Sequence, residues 1–154
     1  MATLTGAQAA AATSNLVGAV AFGQTCKLVG SYTLTAALAL NDVVQLLRVA
    51  PASKVVDGKI VVPGLDTGTA VVIDVGYGGD ADEFIDGSIK GRSSTYGVEF
   101  FGGNATCDWV TGGPKVLSET DEDTIDMLVA TGPTTGTTSG TIYLYCDVAP
   151  PGSY

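Results

Sequence analysis

The sequence predicts an all-β fold: an antiparallel β-sandwich of jelly-roll type, preceded by an N-terminal arm or short helix. Three observations predict it. From Leu28 onward apolar residues recur with period two, the pattern of strands with one buried face. Glycine and proline punctuate these runs at regular spacing, as at Pro63-Gly64, Gly102-Gly103, Gly112-Gly113-Pro114 and Gly132-Pro133. No sustained helical period follows Ser31. With 154 residues the chain is long enough for one real core and short for two. We read residues 1–27 as an N-terminal arm and residues 28–154 as a single sandwich domain without repeats.

The elements follow in order. The first twelve residues are Ala- and Gly-rich, carry no charged side chain and lack apolar periodicity, so they read as an arm, or a short helix, held against a neighbouring surface. Val43–Val49 reads as a strand apolar on both faces, with Val43, Leu47 and Val49 on one side and Val44 and Leu46 on the other; only Gln45 and Arg48 are polar. Such a strand needs a cover on its outer side: a loop, the N-terminal segment or another subunit. Lys54–Val62 alternates Val56, Gly58, Ile60 and Val62 against Val55, Asp57, Lys59 and Val61. Residues 70–75 turn Val71, Ile73 and Val75 inward and Val72 and Asp74 outward. Residues 124–130 bury Ile125, Met127 and Val129 opposite Asp126. Residues 141–148 set Ile142, Leu144, Cys146 and Val148 against Tyr143, Tyr145 and Asp147. The Tyr143/Tyr145 stripe is amphipathic aromatic surface of the kind enriched at interfaces, and with Val43–Val49 it points to a homo-oligomer.

Composition narrows the function. Seven Lys and Arg against sixteen Asp and Glu give a formal charge of −9, which disfavours nucleic acid as a partner because phosphate binding rests on clustered cations. The absence of histidine removes Ser-His-Asp and Cys-His catalysis together with the commonest metal ligand. Neither GxSxG nor GxxxxGK[ST] occurs. The Ala-rich start has no basic residue before Lys27 and is broken by Gln8, Thr13, Ser14 and Asn15, so it reads as neither a signal peptide nor a membrane span. Cys26, Cys107 and Cys146 form no CxxC; free buried thiols in a reducing cytoplasm are the expectation, with a Cys26–Cys146 bridge left open.

Two acidic clusters are the residues from which a site could be built. Asp74, Asp80, Asp82, Glu83 and Asp86 fall in DVGYGGDADEFIDG, whose spacing is not that of an EF-hand, so a solvated turn with Asp side chains capping loop amides is expected, and no metal. Asp121, Glu122, Asp123 and Asp126 precede a strand, where like charge discourages unwanted edge pairing. An acid-pair hydrolase using Asp123 and Asp126 is the weakest alternative, since glycosidase carboxylates need a set separation across a cleft. Tyr96, Trp109, Tyr143 and Tyr145 are the aromatics a carbohydrate-binding module would present. No catalytic residue, metal ligand or cofactor is assigned.

Residues 32–87 resemble small structural proteins of tailed bacteriophages. The cues are TLTAALALNDVVQLLRV, the LDTG turn at Leu65 to Gly68, and DVG followed by D-A-D-x-F-I-D-G; the acidic Asp-Thr-Ile strand and the closing SGTIYLY strand extend the likeness towards Val148. The resemblance implies a head decoration or cement protein on the capsid exterior, made in the bacterial cytoplasm, bound to the major capsid protein and without enzymatic activity. A trimer on three-fold positions is the expected assembly and a dimer on two-folds the alternative. A head-fibre base, a tail component and a glycan-binding jelly roll are the other readings.

Overall fold

A computed structural model describes residues 1–10, 25–93, 95–103 and 107–151. Two sheets face each other. The first orders its strands β1 (Thr3–Thr5), β3 (Val43–Val49), β9 (Asp123–Thr131), β5 (Val72–Tyr77) and β6 (Asp80–Ser88). The second orders β2 (Cys26–Thr33), β10 (Thr141–Ala149), β4 (Lys54–Val62) and β7 (Gly97–Phe100), with the two-residue β8 (Lys115–Val116) on the end of β4. The chain forms nested antiparallel pairs, β5 with β6 innermost, then β4 with β7, β3 with β9 and β2 with β10. Further antiparallel pairings join β9 to β5 and β10 to β4, so that each sheet takes strands from both halves of the chain.

The period-two pattern places the core where expected in β5, β9 and β10: Ile73, Val75, Ile125, Met127, Val129, Ile142, Leu144, Cys146 and Val148 are fully buried between the sheets. Each such aliphatic side chain contributes about 1.5–3 kcal/mol of burial free energy. Phe84 of β6 stacks on Phe101 at 4.6 Å between ring centroids, and Trp109 of the short helix α1 (Trp109–Gly112) meets Phe84 edge-on at 5.4 Å. This aromatic plug joins the first sheet at β6 to the residue that follows β7 in the second.

Two strands depart from simple alternation. In β3 the register with β9 jumps between Gln45 and Leu47, so Leu46 is an extra residue and both Leu46 and Leu47 are buried. The strand is therefore not apolar on both faces; its outward positions are half-buried Val43 and Gln45 before the bulge and Arg48 past it. In β4 the partners of Asp147 and Val148 are Asp57 and Val55, which leaves Val56 as the bulge. Val55, grouped by alternation with Asp57, Lys59 and Val61, is instead fully buried with Ile60 and Val62, and Val56, grouped with those two, is only half-buried. A bulge reverses the inside–outside phase of everything beyond it.

Of the segment read as an arm, residues 3–5 form β1, which pairs in parallel with β3 and is the edge of the first sheet. Asp42, buried in the turn before β3, accepts from Ala2 N at 2.8 Å and Ala39 N at 2.9 Å, while Arg48 Nη2 donates to Ala9 O at 2.8 Å. Asn41, with φ 66°, supplies the left-handed turn that an asparagine tolerates. The chain's own N-terminus thus flanks β3 along its edge and reaches its outward Arg48 at Ala9; residues 11–24 of the expected arm lie outside the described residues, and Cys26 and Lys27, read as the end of the arm, begin β2. No described helix is long and apolar enough to cross a membrane. Cys26, Cys107 and Cys146 form no disulfide; Cys26 pairs in register with Val148 rather than Cys146, and burial pushes the Cys146 thiol well above its usual range.

Candidate docking surface and acidic clusters

Alternation that buries Leu28, Leu144 and Ile60 sends their neighbours to the outer face of the second sheet, and the strand registers align those neighbours in rows. One row runs Val29, Tyr145, Lys59, Phe100 across β2, β10, β4 and β7. The next runs Ser31, Tyr143, Val61, Val98, and a third runs Lys27, Asp147, Asp57. Val29, Val98 and Phe100 are exposed at 41%, 42% and 57%, a density of apolar surface that a four-strand face turned to water does not require. The Lys59 ammonium lies 5.3 Å from the Tyr145 ring centroid and 5.7 Å from that of Phe100. Lys27 and Asp147 form an ion pair at 2.7 Å, which raises the Lys27 pKa, and Asp57 accepts from Gly58 N at 2.7 Å. A shallow cleft of about 150 Å³ runs between the first and third rows.

The remaining aromatics behave differently. Trp109 belongs to the aromatic plug, so its ring is committed to packing. Tyr96 is exposed on its own loop, where its hydroxyl accepts from Thr141 N at 3.3 Å.

The first acidic cluster is a β5–β6 hairpin turning through Gly78-Gly79. Asp74 accepts from Gly87 N at 2.7 Å, as an amide-capping aspartate should, and burial raises its pKa. A hydrogen bond shared with Asp80 pushes Asp82 up to about 6, aided by desolvation and by the Asp80 charge. Glu83, however, is buried rather than solvated and receives the Lys115 ammonium at 2.7 Å. The carboxylates of Asp80, Glu83 and Asp108 offer oxygens within 4.8 Å of one another, with Lys115 already neutralising the buried member.

In the second cluster Glu122 pairs with Arg48 at 3.2 Å and Asp123 accepts from Thr124 N at 2.8 Å, both beside a shallow groove of about 340 Å³. Asp123 and Asp126 stand three residues apart on one strand, so they project from opposite faces and form no acid pair across a cleft. Burial pushes Asp126 up to about 6, and its Oδ1 has no hydrogen-bond partner.

One carboxylate was legible only as part of a turn. Asp66, fully buried in the LDTG loop, accepts from the backbone N–H groups of Gly68, Ala70, Val71, Thr134 and Thr135 at 2.9–3.3 Å. Burial opposes its ionisation, but the amides of Thr135, Gly68, Thr134 and Ala70 outweigh that and hold its pKa far below the usual carboxylate range.

These shifts fix the pH dependence. Asp82 and Asp126 have folded pKa values above the ordinary 3.8, so the folded chain binds protons the unfolded chain releases, and stability is expected to rise as pH falls from 7 towards 4. Asp66 is shifted down, so its contribution is present above 3.8 and is lost on further acidification. Thermal melts from pH 3 to 8 should show a maximum between about pH 4 and 5.5, and Asp126→Asn should raise Tm at pH 7 by roughly a few degrees. A Tm that climbs steadily to pH 8 in both proteins would refute this assignment.

No protein-family model and no curated protein matches the chain. Among solved structures, a chain of the capsid of Ralstonia phage GP4 is similar over 99% of this chain and 100% of its own length, at 23% identity and a TM-score of 0.75. A chain of the cyanophage Pam1 capsid asymmetric unit is similar over 92% and 96%, at 18% identity and a TM-score of 0.67. The sandwich described above is thus a fold found, over more than nine-tenths of the chain, in chains of two phage capsid structures.

Proposed function

We propose that this chain is a capsid decoration, or cement, protein of a tailed bacteriophage: a non-enzymatic homo-oligomer made in the host cytoplasm and mounted on the outside of the head, where it binds the major capsid protein and stabilises the shell. The observation that carries this reading is the likeness, over more than nine-tenths of the chain, to two chains from phage capsid structures. Charge supports the exterior position, because a chain of net −9 with no basic residue before Lys27 is repelled by packaged nucleic acid. Separation of Asp123 and Asp126 to opposite faces leaves the hydrolase alternative without its acid pair. Repeated copies on a symmetric shell turn modest single contacts into firm attachment.

Co-sedimentation of the purified protein with mature heads tests the proposal. Saturable binding at a copy number set by capsid symmetry is expected; folded protein that stays in the supernatant would refute it, as would density confined to tails. The same assay tests the N-terminal segment: deleting residues 1–20, which takes β1 from the sheet edge, should reduce the pelleted fraction while circular dichroism shows the remaining strands folded, and undiminished attachment would remove that role.

A further inference from the structure

We infer that the outer face of the second sheet is the surface through which two copies of this chain pair. The inference stands apart from the capsid reading, because pairing is measured without heads. On this face Lys27 and Lys59 balance Asp57 and Asp147, so the chain's whole formal charge of −9 lies elsewhere. Two copies of so acidic a protein repel each other through other surfaces and can meet closely through a neutral one. The face also carries apolar and aromatic side chains along two of its rows, and the Lys59 ammonium lies by the Tyr145 and Phe100 rings.

A face that meets itself does so about a two-fold axis. An axis lying along the strands, midway between β10 and β4, sets Val29 of one copy against Phe100 of the other and Tyr143 against Val61. It sets each Lys59 against the opposite Tyr145, repeating across the interface the cation–ring contact made within each copy. At the rim Asp147 of each copy then faces Asp57 of the other, and the Lys27 ion-paired with each Asp147 offsets that repulsion. From strand spacing and rise the three rows cover on the order of 400 Å² in plan per copy. That is about half a standard interface, so pairing should be weak and reversible. This arrangement selects the dimer over the trimer.

Sedimentation equilibrium on the full chain tests it. A monomer–dimer equilibrium is expected, weakened at least tenfold by Phe100→Ser and by Tyr145→Ser, whose side chains lie outside the core. Leu40→Ser and Ile89→Ser, exposed apolar positions off this face, should leave it unchanged. A monomer at every concentration overturns the proposal, including the case in which Phe100→Ser still impairs head binding, which would make the shell the occupant of this face. A trimer overturns it, and so does a dimer lost in the Leu40 or Ile89 variants but kept in those at Phe100 and Tyr145. A glycan that binds the face without any self-association overturns it as well.

Discussion

Asp66→Ala is expected to lower the melting temperature by on the order of 10 °C, more than any other single polar substitution in the chain. The carboxylate joins two loops distant in sequence: Gly68, Ala70 and Val71 follow it directly, while Thr134 and Thr135 come from the loop between β9 and β10. Removing it leaves five backbone amides without their acceptor in a place where the residue itself is fully buried. Asp66→Asn keeps the shape but replaces one acceptor oxygen with a donor aimed at N–H groups, so it should recover only a minor part of the loss. Thermal denaturation of both variants checks this. A Tm within about 3 °C of the parent for Asp66→Ala would show that water replaces the carboxylate and that the loops do not depend on it.

Phe84→Ala should cost about 3–5 kcal/mol, again roughly 10 °C. Phe84 is fully buried and touches Phe101 and Trp109, so its ring joins β6 to the chain segment leaving β7. At that edge the sandwich also relies on single backbone bonds, such as Gly102 N to Phe84 O at 3.0 Å. Trp109 is the only tryptophan, and it packs on the ring that would be lost. The variant should therefore shift tryptophan emission to the red before any global unfolding. Unchanged emission together with an unchanged Tm would mean that the plug is not what holds the two sheets at this edge.

Much of this architecture can be read from regular alternation, and the failures have local causes. In β5, β9 and β10 a period of two holds along the apolar residues and places Ile73, Val75, Ile125, Met127, Val129, Ile142, Leu144, Cys146 and Val148 inward, as found. In β3 and β4 the phase fails at Leu46 and Val56, each a bulge within a pair of adjacent apolar residues. Such a doublet reads equally well as a strand with two apolar faces, and only the partner strand decides between them. Glu83 reads as solvated because its cation, Lys115, stands 32 residues away. The docking face was half visible: Tyr143 and Tyr145 declare themselves, whereas Val29, Val98 and Phe100 join them only once the order β2-β10-β4-β7 is known. Asp66 looks like an ordinary turn residue because its partners at Thr134 and Thr135 are invisible without the fold.

The nested ribbon also sets the order in which the molecule can be completed. The β5–β6 hairpin closes over a two-residue turn, but Thr33 meets Thr141 across 108 residues of chain. Closing that span has a high entropic cost and waits until the inner pairs have formed, which makes for slow, late-finishing folding. Because β2 and β10 supply half of the sheet that bears the aromatic rows, that surface comes into being only when the final strand docks. A nascent chain on the ribosome, or one cut short before Thr141, has the hairpins but not the face. Presentation of the surface thus depends on β10 having docked between β2 and β4, and a chain that stops short of Thr141 does not form it.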